Sequence, residues 1–274
     1  MSSEVKRRFV DCDGVRVHVS EVGSGPPLVL VHGWPTHGGL WRDVIPHLAP
    51  HRRVIAPDLP GFGRSDKPLS ASYSFRFFGR TLDALFDALD VDDVGLVVHD
   101  LGGPVGLHWA VTHPERVREL AILNTVAFPE MSWAVKAFVV AATLPGVRQL
   151  VTHPAGIRAA MRFGTKRPLS RASQDLYAAP FATRSAREAL AKAGRGLHPA
   201  GFRDIASGLA RLDVPVRLIY GVRDGILPDT AKTMTRLHAL FPNAELTPLP
   251  DAGHFLQEDA PDVVGRLLAE FLDR

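Results

Sequence analysis

Short β-branched runs alternate along the chain with longer stretches whose apolar residues recur at helical spacing. The runs predict strands at Val15–Val19, Leu28–His32, Arg53–Pro57, Val94–His99, Leu120–Asn124, Val216–Tyr220 and Ala244–Pro248. The stretches predict helices at Leu40–Leu48, Phe75–Leu89, Leu101–Thr112, Ala231–Leu240 and Pro261–Leu272. Strand and helix in regular alternation imply a mostly parallel sheet with helices on its flanks, an α/β fold.

The pattern changes between residues 126 and 211. No strand is predicted there, and short helical patterns follow one another, interrupted by Pro145, Pro154, Pro168, Pro180 and Pro199. The expected organisation is a core of residues 1–125 and 212–274 with a helical cap, 126–211, inserted between two strands. Because the insertion leaves and re-enters at strand ends, it is expected over the carboxyl edge of the sheet, where ligands bind in open α/β sheets.

With 274 residues, 46% hydrophobic and 22% charged, the chain is long enough for a sizeable core, and its composition excludes disorder, collagen and coiled coil. The single Cys12 cannot form an intramolecular disulfide, and the polar N-terminus has no apolar run behind it, so a reducing cytoplasm is the default compartment. Ala137–Leu144 is the nearest approach to a membrane span and falls short of the roughly 18 residues required, so no membrane partner is expected. The net charge of +3 hides an asymmetry, with thirteen Lys/Arg against four Asp/Glu between residues 126 and 211 and the rest of the chain net acidic. Without a zinc-finger, RNP or helix-turn-helix signature, this surplus predicts solvated helix faces or a bias toward anionic substrates, and no nucleic-acid partner. The twelve histidines contain no His-Glu-x-x-His spacing, and Pro50 interrupts the His47/His51 pair, so neither a metal nor another cofactor is expected.

Val97-Val98-His99-Asp100-Leu101-Gly102-Gly103-Pro104 runs from an apolar strand into a helix through small residues, the pattern of a nucleophile elbow with Asp100 at the turn. Val98 stands where that pattern has a leading glycine, and a strand, an aspartate and Gly-Gly also describe a buried helix cap. His32-Gly33-Trp34-Pro35 follows another strand, and the backbone N–H groups of Trp34 and Leu101 can pair as an oxyanion hole. Asp224 follows the strand Val216–Tyr220, and His254 follows the last strand. The chain order of nucleophile, acid and histidine belongs to the α/β-hydrolase arrangement, not to the chymotrypsin or subtilisin types. Asn124, an amide at a strand end, cannot serve as an anionic partner, which leaves Asp224 the better acid.

On these residues the chain resembles the α/β-hydrolases with an aspartate nucleophile, haloalkane dehalogenases first and epoxide hydrolases next. The resemblance spans nearly the whole chain. Besides the elbow and the histidine segment Gly253-His254-Phe255-Leu256-Gln257-Glu258-Asp259, it is carried by His32-Gly33-Trp34-Pro35-Thr36, Asp58-Leu59-Pro60-Gly61-Phe62-Gly63-Arg64-Ser65-Asp66-Lys67-Pro68, Leu123-Asn124-Thr125 and Tyr177-Ala178-Ala179-Pro180-Phe181. It implies an α/β-hydrolase fold and a cofactor-free enzyme acting on a small molecule, as monomer or homodimer. Asp100 would be the nucleophile, His254 the base and Asp224 its acid partner. A carboxylate suits attack on saturated carbon because the ester it forms can be cleaved by water, whereas serine would be left as a stable ether.

Haloalkane dehalogenases usually carry a tryptophan after the nucleophile, whose indole N–H solvates the departing halide; here that residue is Leu101. The cap around Gly164-Thr165-Lys166 has no tryptophan either, so the indole of Trp34 is the candidate leaving-group donor, with an apolar wall as its competing role. Epoxide hydrolases usually place two cap tyrosines over the nucleophile; here only Tyr177 falls in the cap. Trp34, His37, His99, Phe128, Trp133, Tyr177 and Phe255 are expected to line the substrate pocket, with Phe138 and Phe163 as further candidates. The expected function is cleavage of carbon–halogen bonds in small apolar alkyl halides through an ester on Asp100. Epoxide hydrolysis by the same triad, and ligand binding without turnover, are the alternatives.

Overall fold

Leu28 to Val31 and Leu96 to Val98 are all shielded from solvent, because helices cover both faces of their strands, and unbroken apolar runs are what such strands require. The computed structural model describes residues 4–272. Its strands are β1 (Lys6–Cys12), β2 (Val15–Val22), β3 (Pro27–Val31), β4 (Arg53–Pro57), β5 (Val94–Asp100), β6 (Val117–Thr125), β7 (Val216–Gly221) and β8 (Glu245–Leu249). They form one sheet in the order β1-β2-β4-β3-β5-β6-β7-β8. The pairs β1/β2 and β2/β4 are antiparallel and every other pair is parallel, which is the α/β-hydrolase architecture the sequence implies.

Two elements differ from the sequence pattern. The hydrophobic pattern does not predict β1, because it is an edge strand in which only Val10 and Cys12 are buried. Its partner is reached through Asp13-Gly14, both with positive φ (54° and 80°), a two-residue hairpin turn. The helix expected over Leu40–Leu48 breaks into a 3-10 turn at Gly38–Trp41 and a single α turn at Ile45–Leu48. His37 caps the first by accepting from the Gly39 N–H, and Pro46 has no N–H with which to continue one helix through the segment.

Between β6 and β7 the chain is helical, from Trp133–Thr143 through Val147–Thr152, Pro154–Gly164, Arg171–Ala178 and Arg184–Arg195 to Pro199–Gly208. Pro154 and Pro199 start helices here, since a missing N–H costs nothing in a first turn. Ser132, Ser170 and Thr183 cap others by accepting from the backbone N–H three residues on. The last of these helices packs on the helix Gly102–Thr112, with Gly208 against Val111. The earlier ones lie over the carboxyl ends of β5, β6 and β7, so the loops leaving those strands meet beneath them.

Candidate active site

Asp100 ends β5 in the left-handed region, φ 51°, and the helix Gly102–Thr112 begins two residues later. Such backbone in a non-glycine residue needs support, which comes from Thr125 on β6, whose Oγ1 donates to the Asp100 carbonyl at 2.6 Å. Gly33 leaves the space that the Asp100 side chain occupies. Val98 is accommodated by a glycine inside the following helix, since a Cβ on Gly106 would come to 2.5 Å from Val98 Cγ1.

The Trp34 N–H donates to Asp100 Oδ1 at 2.6 Å, and the Leu101 N–H is close enough to favour the ionised carboxylate. His254 Nε2 lies 3.2 Å from Asp100 Oδ2, off the line of a good hydrogen bond, while Nδ1 meets Asp224 Oδ2 at 2.9 Å. Asp224 is held by four further donors: the Ile226 and Leu227 amides on Oδ1, both at 2.8 Å, and Asn124 Nδ2 and Thr230 Oγ1 on Oδ2 at 2.7 and 3.0 Å. Asn124 Oδ1 in turn accepts from the Gly221 N–H at 2.9 Å, so this amide brackets the end of β7 and the acid that follows it.

Charge in the buried trio is distributed by mutual attraction. Burial alone would lower the proton affinity of His254, but the carboxylates of Asp224 and Asp100 overcome it and raise the pKa to about 10. Burial likewise opposes ionisation of Asp224, yet the His254 charge and the surrounding donors hold it at about 2; Asp100 is also held below the usual carboxylate range, mainly by His254. The resting site is therefore an imidazolium between two carboxylates. An unfolded histidine titrates near ~6.5, so the stability His254 contributes is fully present below that pH and is lost as pH rises through about 10. Calorimetry across this window is expected to give a steeper fall in Tm for the wild type than for His254→Phe; equal slopes would mean a neutral ring in the folded protein.

A cavity of about 490 Å³ opens above Asp100 and is walled almost wholly by carbon, including Phe138, Phe163, Val135, Val139, Ile226 and Leu227. Of the expected lining residues, Trp34 and the further candidates Phe138 and Phe163 are found there, and Leu101 joins them. Its only side-chain N–H among the described residues belongs to Trp34, and that indole donates to the Leu190 carbonyl on the helix Arg184–Arg195 at 3.3 Å. The structure thus places Trp34 in the wall with its indole N–H turned to the helices above, which favours the wall role over that of a leaving-group donor.

The other expected lining residues lie elsewhere. His37 binds the Leu176 carbonyl and lines a separate cavity with Asp58 and Arg64. His99 is buried and neutral, its pKa lowered to about 4 by burial, and its Nε2 donates to the His254 carbonyl at 2.9 Å. Tyr177 is buried with its hydroxyl donating to Glu258 and accepting from Arg42, a clamp between helix and core. Phe255 packs against Gly164 and the His254 ring, Phe128 lies under the Arg236 guanidinium at 3.7 Å, and Trp133 faces solvent, 74% exposed. Sequence reasoning missed Thr230 and the Gly164 carbonyl, which accepts from the His254 N–H at 2.7 Å. Neither belongs to a motif that would have marked it.

A family model described as alpha/beta hydrolase fold matches residues 26–261. Haloalkane dehalogenase 2 of Mycobacterium tuberculosis is 33% identical over 272 residues, 96% of this chain and 93% of that protein. Cis-3-alkyl-4-alkyloxetan-2-one decarboxylase of Shewanella oneidensis is 32% identical, covering 97% of this chain and 88% of its own. The crystal structure of haloalkane dehalogenase DbeA from Bradyrhizobium elkani superposes with a TM-score of 0.87 at 28% identity, over 98% of both chains. The chain belongs to the α/β-hydrolase family. Within that family it is a haloalkane dehalogenase-like hydrolase.

Proposed function

We propose that the protein hydrolyses small apolar alkyl halides through a covalent ester on Asp100. The observation that supports this reading is the carboxylate itself, ionised at the elbow, one oxygen on the Trp34 amide and the other 3.2 Å from His254 Nε2, beneath an apolar cavity. Asp100 Oδ2 attacks the halogen-bearing carbon, the carbon–halogen bond breaks, and the halide leaves with the bonding pair. Esterification removes the Asp100 charge, so only Asp224 still holds the His254 proton, and the affinity of the ring for it falls. His254 releases that proton and then takes one from a water that attacks the ester carbonyl. The charge developing on Asp100 Oδ1 faces the Trp34 and Leu101 amides. The products are the alcohol, the halide and one proton. In this reading residues 126–211 are the cap of a cofactor-free, cytoplasmic enzyme, monomeric or homodimeric.

A second reading is favoured by the cavity wall. With Leu101 apolar and the Trp34 indole engaged by Leu190, a departing halide meets carbon on all sides, a costly place for an unsolvated anion. A strained oxetan-2-one, the ring for which the Shewanella relative is named, makes a smaller demand. Opened at its saturated ring carbon, it departs as a carboxylate with its charge spread over two oxygens.

Bromide release from 1,2-dibromoethane separates the readings. The wild type is expected to release bromide, and Leu101→Trp, which adds an indole N–H to the wall, to raise kcat/KM by about tenfold or more, the effect of one hydrogen bond to an ion. Trp34→Phe is expected to change it less than about threefold, because that N–H is already engaged. Turnover of a 3,4-dialkyl oxetan-2-one with no bromide from either wild type or Leu101→Trp would replace the halide reading with the lactone one.

A further inference from the structure

The helices above the sheet carry an exposed apolar face that the hydrolytic chemistry does not use. Trp133, Ala137, Val140 and Leu144 follow at spacings of four, three and four, one side of the helix Trp133–Thr143 and its C-terminal end, and all four are exposed. The strip continues through exposed Val147 into Leu150 on the helix Val147–Thr152. It ends at the cavity, for Leu150 and Phe163 are 69% and 62% exposed and also line the space above Asp100. An apolar strip that leads from the surface to the mouth of an apolar cavity marks contact with another surface.

The surrounding charge selects that surface. Residues 131 to 166 contain no Asp or Glu and five cations: Lys136, Arg148, Arg158, Arg162 and Lys166. Lys136, on the Trp133 helix, and Arg162, next in sequence to Phe163, are exposed, while Arg148, next to Val147, is half-buried in a cleft with Arg184, Arg187 and Glu188. Arg158 pairs with Asp175, and Glu130, the nearest acid before this stretch, is tied to Arg236. Among the described residues, Lys136, Arg148 and Arg162 form no ion pair.

We propose that this face seats on an anionic lipid surface, so that an apolar substrate dissolved in the bilayer enters between Leu150 and Phe163 and reaches Asp100 without crossing water. Apolar side chains entering the acyl boundary, ringed by cations that meet lipid phosphates, are the elements of interfacial binding. The expectation of no membrane partner considered only spans, and among the described residues no helix is long and apolar enough to cross a membrane; this face lies on the bilayer instead. Docking is independent of which bond Asp100 breaks. Only the delivery of substrate rests on the hydrolase reading.

Sedimentation of the full chain with phosphatidylcholine vesicles, with and without about 30% phosphatidylglycerol, tests the proposal. Binding to the anionic vesicles is expected to be at least about tenfold tighter than to the neutral ones and to be largely lost at about 0.5 M NaCl. The double variant Val140→Glu/Leu144→Glu, at exposed positions outside the cavity lining, is expected to weaken vesicle binding by about tenfold or more. Its Tm and its turnover of a short, water-soluble substrate should stay at wild-type values. Absence of wild-type binding to anionic vesicles, or equal binding by the double variant, overturns the proposal. A wild type that dimerises while the variant is monomeric, with neither on lipid, overturns it too and makes the face a self-interface. Vesicle binding by a protein that turns over neither substrate class would count against the hydrolase reading and leave this one standing.

Discussion

Replacing His254 with phenylalanine is expected to stop turnover at the ester and leave it on Asp100. The first step needs no proton removed, because a carboxylate attacks as it stands; the His254 charge that favours ionisation of Asp100 is lost, but Oδ1 keeps the Trp34 amide when the imidazole is gone. The second step loses the imidazole that lies 3.2 Å from Asp100 and would deprotonate the attacking water, a loss of about 10²–10⁴ in rate. The fold should tolerate the change: the ring is fully buried and phenylalanine fills similar space, while Asp224 keeps the Ile226 and Leu227 amides, Asn124 and Thr230 when it loses its cation. Intact mass after incubation with 1,2-dibromoethane should rise by one bromoethyl group, mapped to the peptide containing Asp100, with no such gain in the wild type. An adduct with styrene oxide alone would redirect the assignment to oxygen leaving groups. A folded variant that takes up neither electrophile would remove the ester mechanism itself.

What was legible in the sequence is what local chemistry fixes. A strand covered on both faces must be apolar throughout, so Val94–Val98 announces itself, and a sharp turn between strand and helix needs small residues, so Asp100 does too. Where a side chain sends its hydrogen bond is decided elsewhere in the chain. The Trp34 indole finds Leu190, 156 residues away, and nothing around Trp34 encodes that partner. His37 and Tyr177 have the chemistry of pocket residues, but Leu176 and Glu258 turn both into clamps. Asn124 is intermediate: its amide excludes it as the acid, and its φ of 25°, tolerated better by asparagine than by most residues, is a trace of the bracket it forms. The edge strand β1 left one signal, Asp13-Gly14, which outweighs its weak alternation because few other dipeptides turn a hairpin in two residues.

Asp224→Asn is expected to cost nearly as much as loss of the histidine, although it keeps size and shape. Every neighbour of this carboxylate is a donor: His254 Nδ1, Asn124 Nδ2 and Thr230 Oγ1 on one oxygen and two backbone amides on the other. An amide in its place must turn its NH₂ toward one of these sets. Turned toward the histidine, it makes Nδ1 the acceptor and leaves the proton on Nε2, the wrong tautomer for a base. Turned the other way, it opposes the Ile226 and Leu227 N–H groups and loosens the loop. In either case the imidazolium loses its main counter-charge, and the pKa of His254 falls from about 10. The Asp224 carboxyl, held at about 2 against ~3.9 when unfolded, contributes stability that is present above pH ~4 and lost as pH falls through about 2, so the variant should also lack that acid limb. Turnover should drop by about 10²–10⁴, with the Asp100 ester accumulating in quenched samples as it does in His254→Phe. Wild-type turnover in Asp224→Asn would mean that His254 is oriented by its backbone, through its N–H to the Gly164 carbonyl and its own carbonyl to His99 Nε2. Asp224 would then be a prop for its loop and not the partner of the ring.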